Sequence, residues 1–152
     1  MSKSLWGPPC WSLMHVLATR IKEEDFENKK ESLWLVINEI CNNLPCPECR
    51  QHAVSLMRQT KKASILKSKD NLELFLFDFH NLVNKKKGLK LFTKEEYNLK
   101  YKKENIRDIV FNFINIFNAS ARNNNLMTDA FHRQRFIQKF IAWINVNKES
   151  FI

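Results

Sequence analysis

Cys46-Pro47-Glu48-Cys49 is the segment of this 152-residue chain best equipped for chemistry. Two cysteines separated by two residues can close a disulfide within one helical turn and reopen it, cycling between dithiol and disulfide. Pro47 suits the first turn of a helix, where a missing N–H is no loss. Across such a helix start both sulfurs lie near unsatisfied backbone N–H groups and the positive end of the dipole, which lowers a thiol's pKa. Zinc is a competing use, because Cys41, Cys46, Cys49 and His52 offer four ligands at short spacing. Cys41, however, falls on the apolar face of a predicted helix, where a core thiol is the commoner outcome, so no metal is assigned. A thioredoxin-like fold needs a βαβ context that the sequence lacks.

A redox dithiol needs an electron acceptor, and three further clusters supply candidate contacts for one. Trp11 and His15 are four apart and share a helix face. His80, Asn81 and Asn84 interrupt an otherwise apolar helical pattern, and Tyr97 and Tyr101 repeat the four-residue spacing. Rings, imidazoles and amides converging on a helical interior suit a flat heteroaromatic ligand, with lysines available for phosphates. Taken singly, each of these side chains reads equally well as ordinary core.

The elements that must position them are helices. Two glycines in the whole chain leave almost nothing for hairpin turns or phosphate-cradling loops. Pro8 and Pro9 are expected to precede a first helix carrying Trp11, Met14, Leu17 and Ala18. A charged stretch from Lys22 to Lys30 reads as containing a turn, before a second helix with Leu33, Trp34, Ile37, Ile40, Cys41 and Leu44 on one face. Pro45 ends that helix and Pro47 opens a third, through Ala53, Leu56 and Met57. Lys61 to Lys69 reads as a polar connection. Ser68 or Asp70 caps a fourth helix with Leu72, Phe75, Phe79, Leu82 and Val83 inward and Gly88 as its stop. Thr93 with Glu96 forms a capping box for a short fifth helix. Two amphipathic stripes follow, Ile106 to Phe117 and Phe131 to Ile144, separated by a loop at Arg122-Asn123-Asn124-Asn125 and recapped by Thr128 or Asp129. His132, beside Arg133 and Arg135, is expected at the surface.

Composition narrows the class. Hydrophobic residues at 44% and charged residues at 27% are ordinary for a globular chain, and no apolar run approaches the roughly 20 residues that span a bilayer. The N-terminal residues lack the apolar core of a signal peptide, so the expectation is a chain made in the cytosol or nucleus. In a reducing compartment, a close cysteine pair is more often catalytic or metal-binding than structural. The formal charge of +9 implies affinity for something acidic without saying what.

In combination these motifs resemble the Erv/ALR family of FAD-linked sulfhydryl oxidases, its compact virus-encoded members most of all. Trp6-Gly7-Pro8 with Trp11 to His15, Leu44 to Cys49 with His52-Ala53, and His80-Asn81-Leu82-Val83-Asn84 carry the resemblance, which covers Trp6 to Tyr101. It implies an all-α fold, a four-helix bundle plus a short fifth helix around FAD, with residues 1–102 as the oxidase domain. The segment 103–152 would then be a two-helix extension, packing on the core or mediating oligomerisation.

By that resemblance Cys49 is the flavin-proximal thiol and Cys46 the outer thiol that exchanges with substrate. The FAD pocket would be drawn from Trp6, Trp11, His15, His80, Asn81, Val83, Asn84, Lys90, Tyr97 and Tyr101. Electrons from protein thiols would reach FAD and then O2, giving H2O2. The expected partners are a dithiol protein, as substrate or relay, and a second copy in a homodimer; neither membrane nor nucleic acid is expected. The viral likeness implies work in host cytoplasm, a virus factory or the virion.

The family often places a glycine-lysine pair after HNxVN; here Leu89 follows Gly88, and Lys85, Lys86 and Lys90 are the candidates to replace that lysine. A tryptophan common near the end of the family domain has no match, and Tyr97 or Tyr101 stands in its place. Cys10 and Cys41 lack the spacing of the family's shuttle pair, so electrons are expected directly from a separate dithiol protein. The rival from another class is a non-enzymatic helical binding module on the same fold, using its basic surface to hold an acidic partner or nucleic acid.

Overall fold

The structure, a computed structural model, describes residues 3–122 and 127–151, and every regular element among them is helical. In chain order these are α1 (Lys3–Arg20), α2 (Glu23–Asn42), α3 (Pro47–Gln59), α4 (Lys62–Ile65), α5 (Lys69–Lys86), α6 (Lys94–Lys102), α7 (Ile106–Arg122) and α8 (Met127–Asn147), with a final 3-10 turn at Lys148–Ser150. Helix α1 is the hub, packing against α2, α5, α6 and α7, while α3 lies on α2. Its inward side chains Leu13, Val16, Leu17 and Ala18 are fully buried. Helices α1, α2, α3 and α5 make the bundle, and α6 is the short fifth helix beside it.

Local chemistry sets several boundaries where the sequence places them. The Ser68 hydroxyl accepts the Asn71 N–H at 3.0 Å and caps α5. Gly88, at φ +70°, ends it in the left-handed conformation, and the Leu89 N–H returns to the Asn84 carbonyl at 2.8 Å. Thr93 caps α6 through the Glu96 N–H at 3.2 Å.

Four expectations fail for tertiary reasons. Pro8 and Pro9 lie inside α1 rather than before it. Trp6 and Cys10, one turn apart and both buried, hold that segment helical although the prolines donate no hydrogen bond. The turn expected within Lys22 to Lys30 is confined to its first residue, the N-cap Lys22, and the rest is already α2: Glu23, Glu24 and Asp25 favour the positive helix end, and Phe26 is buried. The polar connection at Lys61 to Lys69 contains α4, which brings Ile65 and Leu66 into the core. In α5 the inward position falls on Leu76, while Leu82 is 47% exposed.

The extension forms two helices. Helix α7 packs between α1 and α8, and the Lys22 N–H donates to the Ser150 carbonyl at 2.8 Å, closing the end of the chain onto the α1–α2 turn. Phe113, Phe117, Phe136, Ile137 and Phe140 fill the seam, whereas Phe131 and Ile141 face water. Residues 123–125 of the expected loop and the Thr128 side chain lie outside the described residues. Asp129 sits in the first turn of α8, not at its cap. Arg133 is buried at 1% exposure, which the sequence did not reveal.

Candidate active site

Cys46 is the N-cap of α3, in extended conformation, with Pro47 in the first turn. Its Sγ accepts the Cys49 N–H at 3.2 Å. A backbone donor aimed at sulfur, added to the positive helix end, favours negative charge there. Arg50 holds the loop against the helix: its N–H donates to the Cys46 carbonyl at 2.9 Å and its Nη1 to the Leu44 carbonyl at 3.1 Å.

Cys49 has a second role in the site. It lines a narrow, largely apolar slot of about 80 Å³, together with Trp6, Trp11, Phe79, Val83 and His52. Cys46 is not among the slot's walls. Cys46 and Cys49 are both half-buried, Cys46 at the helix cap and Cys49 beside the rings of the slot. Cys10 and Cys41 reach the same slot. Burial pushes the Cys41 thiol up to about 12, and burial with the nearby Cys41 raises Cys10 well above its ordinary value. Both stay protonated near neutrality and are poor nucleophiles.

Behind the slot runs a chain of rings. Trp11 stacks on His80 with centroids 4.2 Å apart and planes 6° from parallel, and its edge meets Phe79. His15, fully buried, has His80 Nδ1 2.9 Å from its Nε2 and the Tyr97 hydroxyl 3.1 Å from its Nδ1. Burial, then the neighbouring His80 and Lys100, lower His15 well below the usual histidine value; burial, then Lys100 and Lys87, bring His80 to about 4. Both rings are neutral at pH 7, so each carries one N–H. With Tyr97 donating to His15 and His15 to His80, the Nε2–H of His80 is left over as a donor. With the order reversed, His80 Nε2 is a bare acceptor.

His80 opens onto a second cavity of about 540 Å³, lined also by Asn84, Tyr101, Phe92 and the lysines Lys87, Lys90 and Lys100. Gly7, Trp11 and Lys87 line this cavity and the slot alike, so an apolar slot at Cys49 adjoins a basic cavity at the lysines. A Cβ at Gly7 would meet no protein atom within 4 Å, so this stretch of the groove wall stays open. Lys100 Nζ stands 5.5 Å from the Phe92 ring centre and 5.3 Å from that of Tyr101. Rings at one end, amide and imidazole groups between and cations at the other make a donor set suited to a flavin dinucleotide.

The predicted site residues divide into three groups. Trp6, Trp11, Val83 and Cys49 line the slot, and His80, Asn84, Lys90, Tyr101 and again Trp11 line the larger cavity. His15 and Tyr97 line neither and stand behind His80. Asn81 is occupied elsewhere: its Nδ2 donates to the Phe92 carbonyl at 3.0 Å and its Oδ1 accepts the Phe92 N–H at 2.8 Å, clamping the α5–α6 connection. Of the candidate lysines, Lys90 reaches the groove and Lys85 and Lys86 do not. The sequence reading missed Lys87, Lys100 and Phe79 as groove walls. Lys87 had a signal, since Gly88 places it at the C-cap of α5; Lys100 had none. Cys41, Cys46, Cys49 and His52 are not drawn together as a metal set, and no other such cluster occurs among the described residues.

Comparisons with known proteins agree with this geometry. A model of the Erv1 / Alr family matches residues 8–107. The chain is 30% identical over 107 residues to a protein named FAD-linked sulfhydryl oxidase from African swine fever virus (isolate Pig/Kenya/KEN-50/1950), covering 70% of this chain and 87% of that one. Its counterpart in isolate Tick/Malawi/Lil 20-1/1983 is 32% identical over 97 residues, 63% of this chain and 79% of the relative. A protein of Acanthamoeba polyphaga mimivirus is 31% identical over 97 residues, 63% and 68% of the two chains. No solved structure matches.

Proposed function

The chain belongs to the Erv1/Alr family and is an FAD-dependent sulfhydryl oxidase, and from that premise we propose how its own residues divide the work. The observation that carries the proposal is the pair of adjoining cavities, sharing Trp11 and Lys87, that lead from Cys49 to Lys90 and Lys100.

Cys46, capped by a backbone N–H, is the sulfur that a substrate thiolate attacks when the pair is oxidised. That attack forms a bond between substrate sulfur and Cys46 and releases Cys49 as the thiolate. The second substrate thiol, losing its proton, then displaces Cys46. Substrate leaves as a disulfide, and two electrons remain on the Cys46–Cys49 pair. FAD, when bound, supplies a two-electron acceptor beside Cys49 that O2 can reoxidise, so that overall two thiols and O2 give a disulfide and H2O2. Trp6, Trp11, Phe79 and Val83 offer the apolar walls that keep water from Cys49. His80, Asn84 and Tyr101 offer polar edges for orientation, and Lys87, Lys90 and Lys100 offer charge for phosphates. His15 and Tyr97 act through His80, fixing which of its nitrogens bears the proton; we favour the order that leaves Nε2–H facing the groove, because it uses the Tyr97 hydroxyl as donor.

The proposal extends to three coarser matters. Residues 1–102 carry the oxidase site and 103–152 extend it. The apolar groove lined by Val110, Phe111, Ile114 and Ile144 is offered to a second copy in a homodimer. The work would lie in the cytoplasm of an infected host, its virus factory or the virion, a reading that the viral relatives support. No helix of the described residues is long and apolar enough to cross a membrane.

The test is the visible spectrum of the purified protein before and after a small dithiol is added in air. An oxidised-flavin band that bleaches while oxygen is consumed supports the proposal; a protein that takes up no FAD overturns it.

A further inference from the structure

The extension does more than cover α1. At its start α8 meets the redox helix: Arg50 Nη2 donates to Asp129 Oδ2 at 3.0 Å, joining the residue after Cys49 to the first turn of α8. Around this ion pair α2, α3 and α8 enclose a polar groove of about 430 Å³, with Glu39, His132, Arg135 and Lys139 among its walls. It is separate from the flavin groove and shares no wall with it. It adjoins the redox loop nonetheless, since the Arg50 in its wall donates from Nη1 to the Leu44 carbonyl and through its backbone N–H to the Cys46 carbonyl.

The groove's charge is lopsided. Arg50 and Asp129 satisfy one another, which leaves Glu39 against Arg135 and Lys139, both exposed. Arg133, one turn after Asp129, adds a buried cation at 1% exposure whose Nε and Nη2 meet no protein acceptor. Burial and the Arg50 charge disfavour that cation, and Asp129 only partly offsets them. Arg133 is not a wall of the groove, so the cations open to a docked carboxylate are those of Arg135 and Lys139. Helix α8 lies beyond the family match, so half of this groove is built from residues outside it.

We propose that this groove docks acidic residues flanking the cysteine pair of the dithiol protein substrate, delivering its thiols to Cys46. The proposal rests on the oxidase reading for the fate of those thiols, but the docking itself does not require flavin.

Two synthetic dithiol peptides of equal length test it, one flanked by glutamates and the other by lysines, each also made with serines for cysteines and a fluorescent label. With the FAD-loaded enzyme the acidic dithiol should show a kcat/KM roughly tenfold above the basic one, mainly through KM. The advantage should vanish in the double variant R135E/K139E and fade at roughly 0.5 M salt, while turnover of dithiothreitol is unchanged. The labelled serine peptides should show the same preference in anisotropy, with or without flavin. Equal handling of the two peptides, or an acidic preference that survives R135E/K139E, overturns the docking proposal. If dithiothreitol itself is not oxidised, the oxidase reading is what fails, and anisotropy still decides the docking.

Discussion

His15 Nε2 faces His80 Nδ1 at 2.9 Å, with one proton between two nitrogens. Tyr97, at the far side of His15, is hydrogen-bonded to its Nδ1 and is proposed to bias which nitrogen holds that proton. Tyr97→Phe should therefore do more than remove a hydroxyl. It should leave His15 Nδ1 without a buried partner, lower stability by about 1 kcal/mol and weaken FAD binding several-fold. Denaturant midpoints and FAD titration measure the two effects, and nitrogen-15 NMR of His80 reports its tautomer. An unchanged tautomer in the variant would remove the positioning role.

Cys49→Ser should abolish dithiol oxidation and leave helix content and FAD uptake intact, because the change is nearly isosteric and Cys49 is one wall of a large groove. Cys46→Ser should also block turnover of dithiothreitol, since it removes the exchange position. Oxygen uptake with dithiothreitol and flavin absorbance separate chemistry from binding. Activity surviving in Cys49→Ser would favour the binding-module alternative.

Stability should fall as pH drops from 6.5 towards 4. A histidine whose folded pKa is lowered protonates first in the unfolded chain, so the unfolded state holds more protons throughout that window and stability rises with pH. For His80, with a folded value of about 4, the loss between pH 7 and pH 5 is about 2 kcal/mol, and His15 shifts in the same direction. Urea midpoints at the two pH values, compared with those of His80→Asn, isolate the effect. Parallel profiles for the two proteins would rule out a buried neutral His80.

Alkylation under native conditions should be ordered. In protein reduced beforehand and kept free of oxygen, Cys46 is expected to react with iodoacetamide at pH 8 well before Cys10 and Cys41, which react only at the rate of unfolding since burial keeps both as thiols. Peptide mass spectrometry over time reads the order, and rapid labelling of Cys10 would show that the slot opens freely.

Lys87→Gln combined with Lys100→Gln should weaken FAD binding roughly tenfold and flatten its salt dependence, whereas Lys85→Gln with Lys86→Gln should do neither. Fluorescence titration at two salt concentrations distinguishes the pairs. A larger loss from Lys85 and Lys86 would place the phosphates elsewhere.

What the sequence disclosed was chemistry that acts over one turn of chain. The Ser68 and Thr93 caps, the Gly88 stop and the Cys46-Pro47 helix start depend on neighbours three or four residues away. Period alone also put Trp11 with His15 and Tyr97 with Tyr101. It could not show that His15 meets His80 across 65 positions, because spacing says which residues share a face and not which faces meet. Pro8 and Pro9 inside α1 escaped for the same reason: local propensity argues against them, and burial of Trp6 and Cys10 decides otherwise. The burial of Arg133 went unread because arginine is usually exposed and nothing nearby in sequence marks it.

The packing of α7 on α1 has a practical consequence for anyone who trims this protein. A piece ending at residue 107 would keep everything that the family match spans and lose the helix that covers the backside of the Trp11–His15 element. Kinship and cooperative unfolding draw different borders here. The shared portion is what kinship marks, and the packing of α7 on α1 leads us to expect the whole chain to melt together.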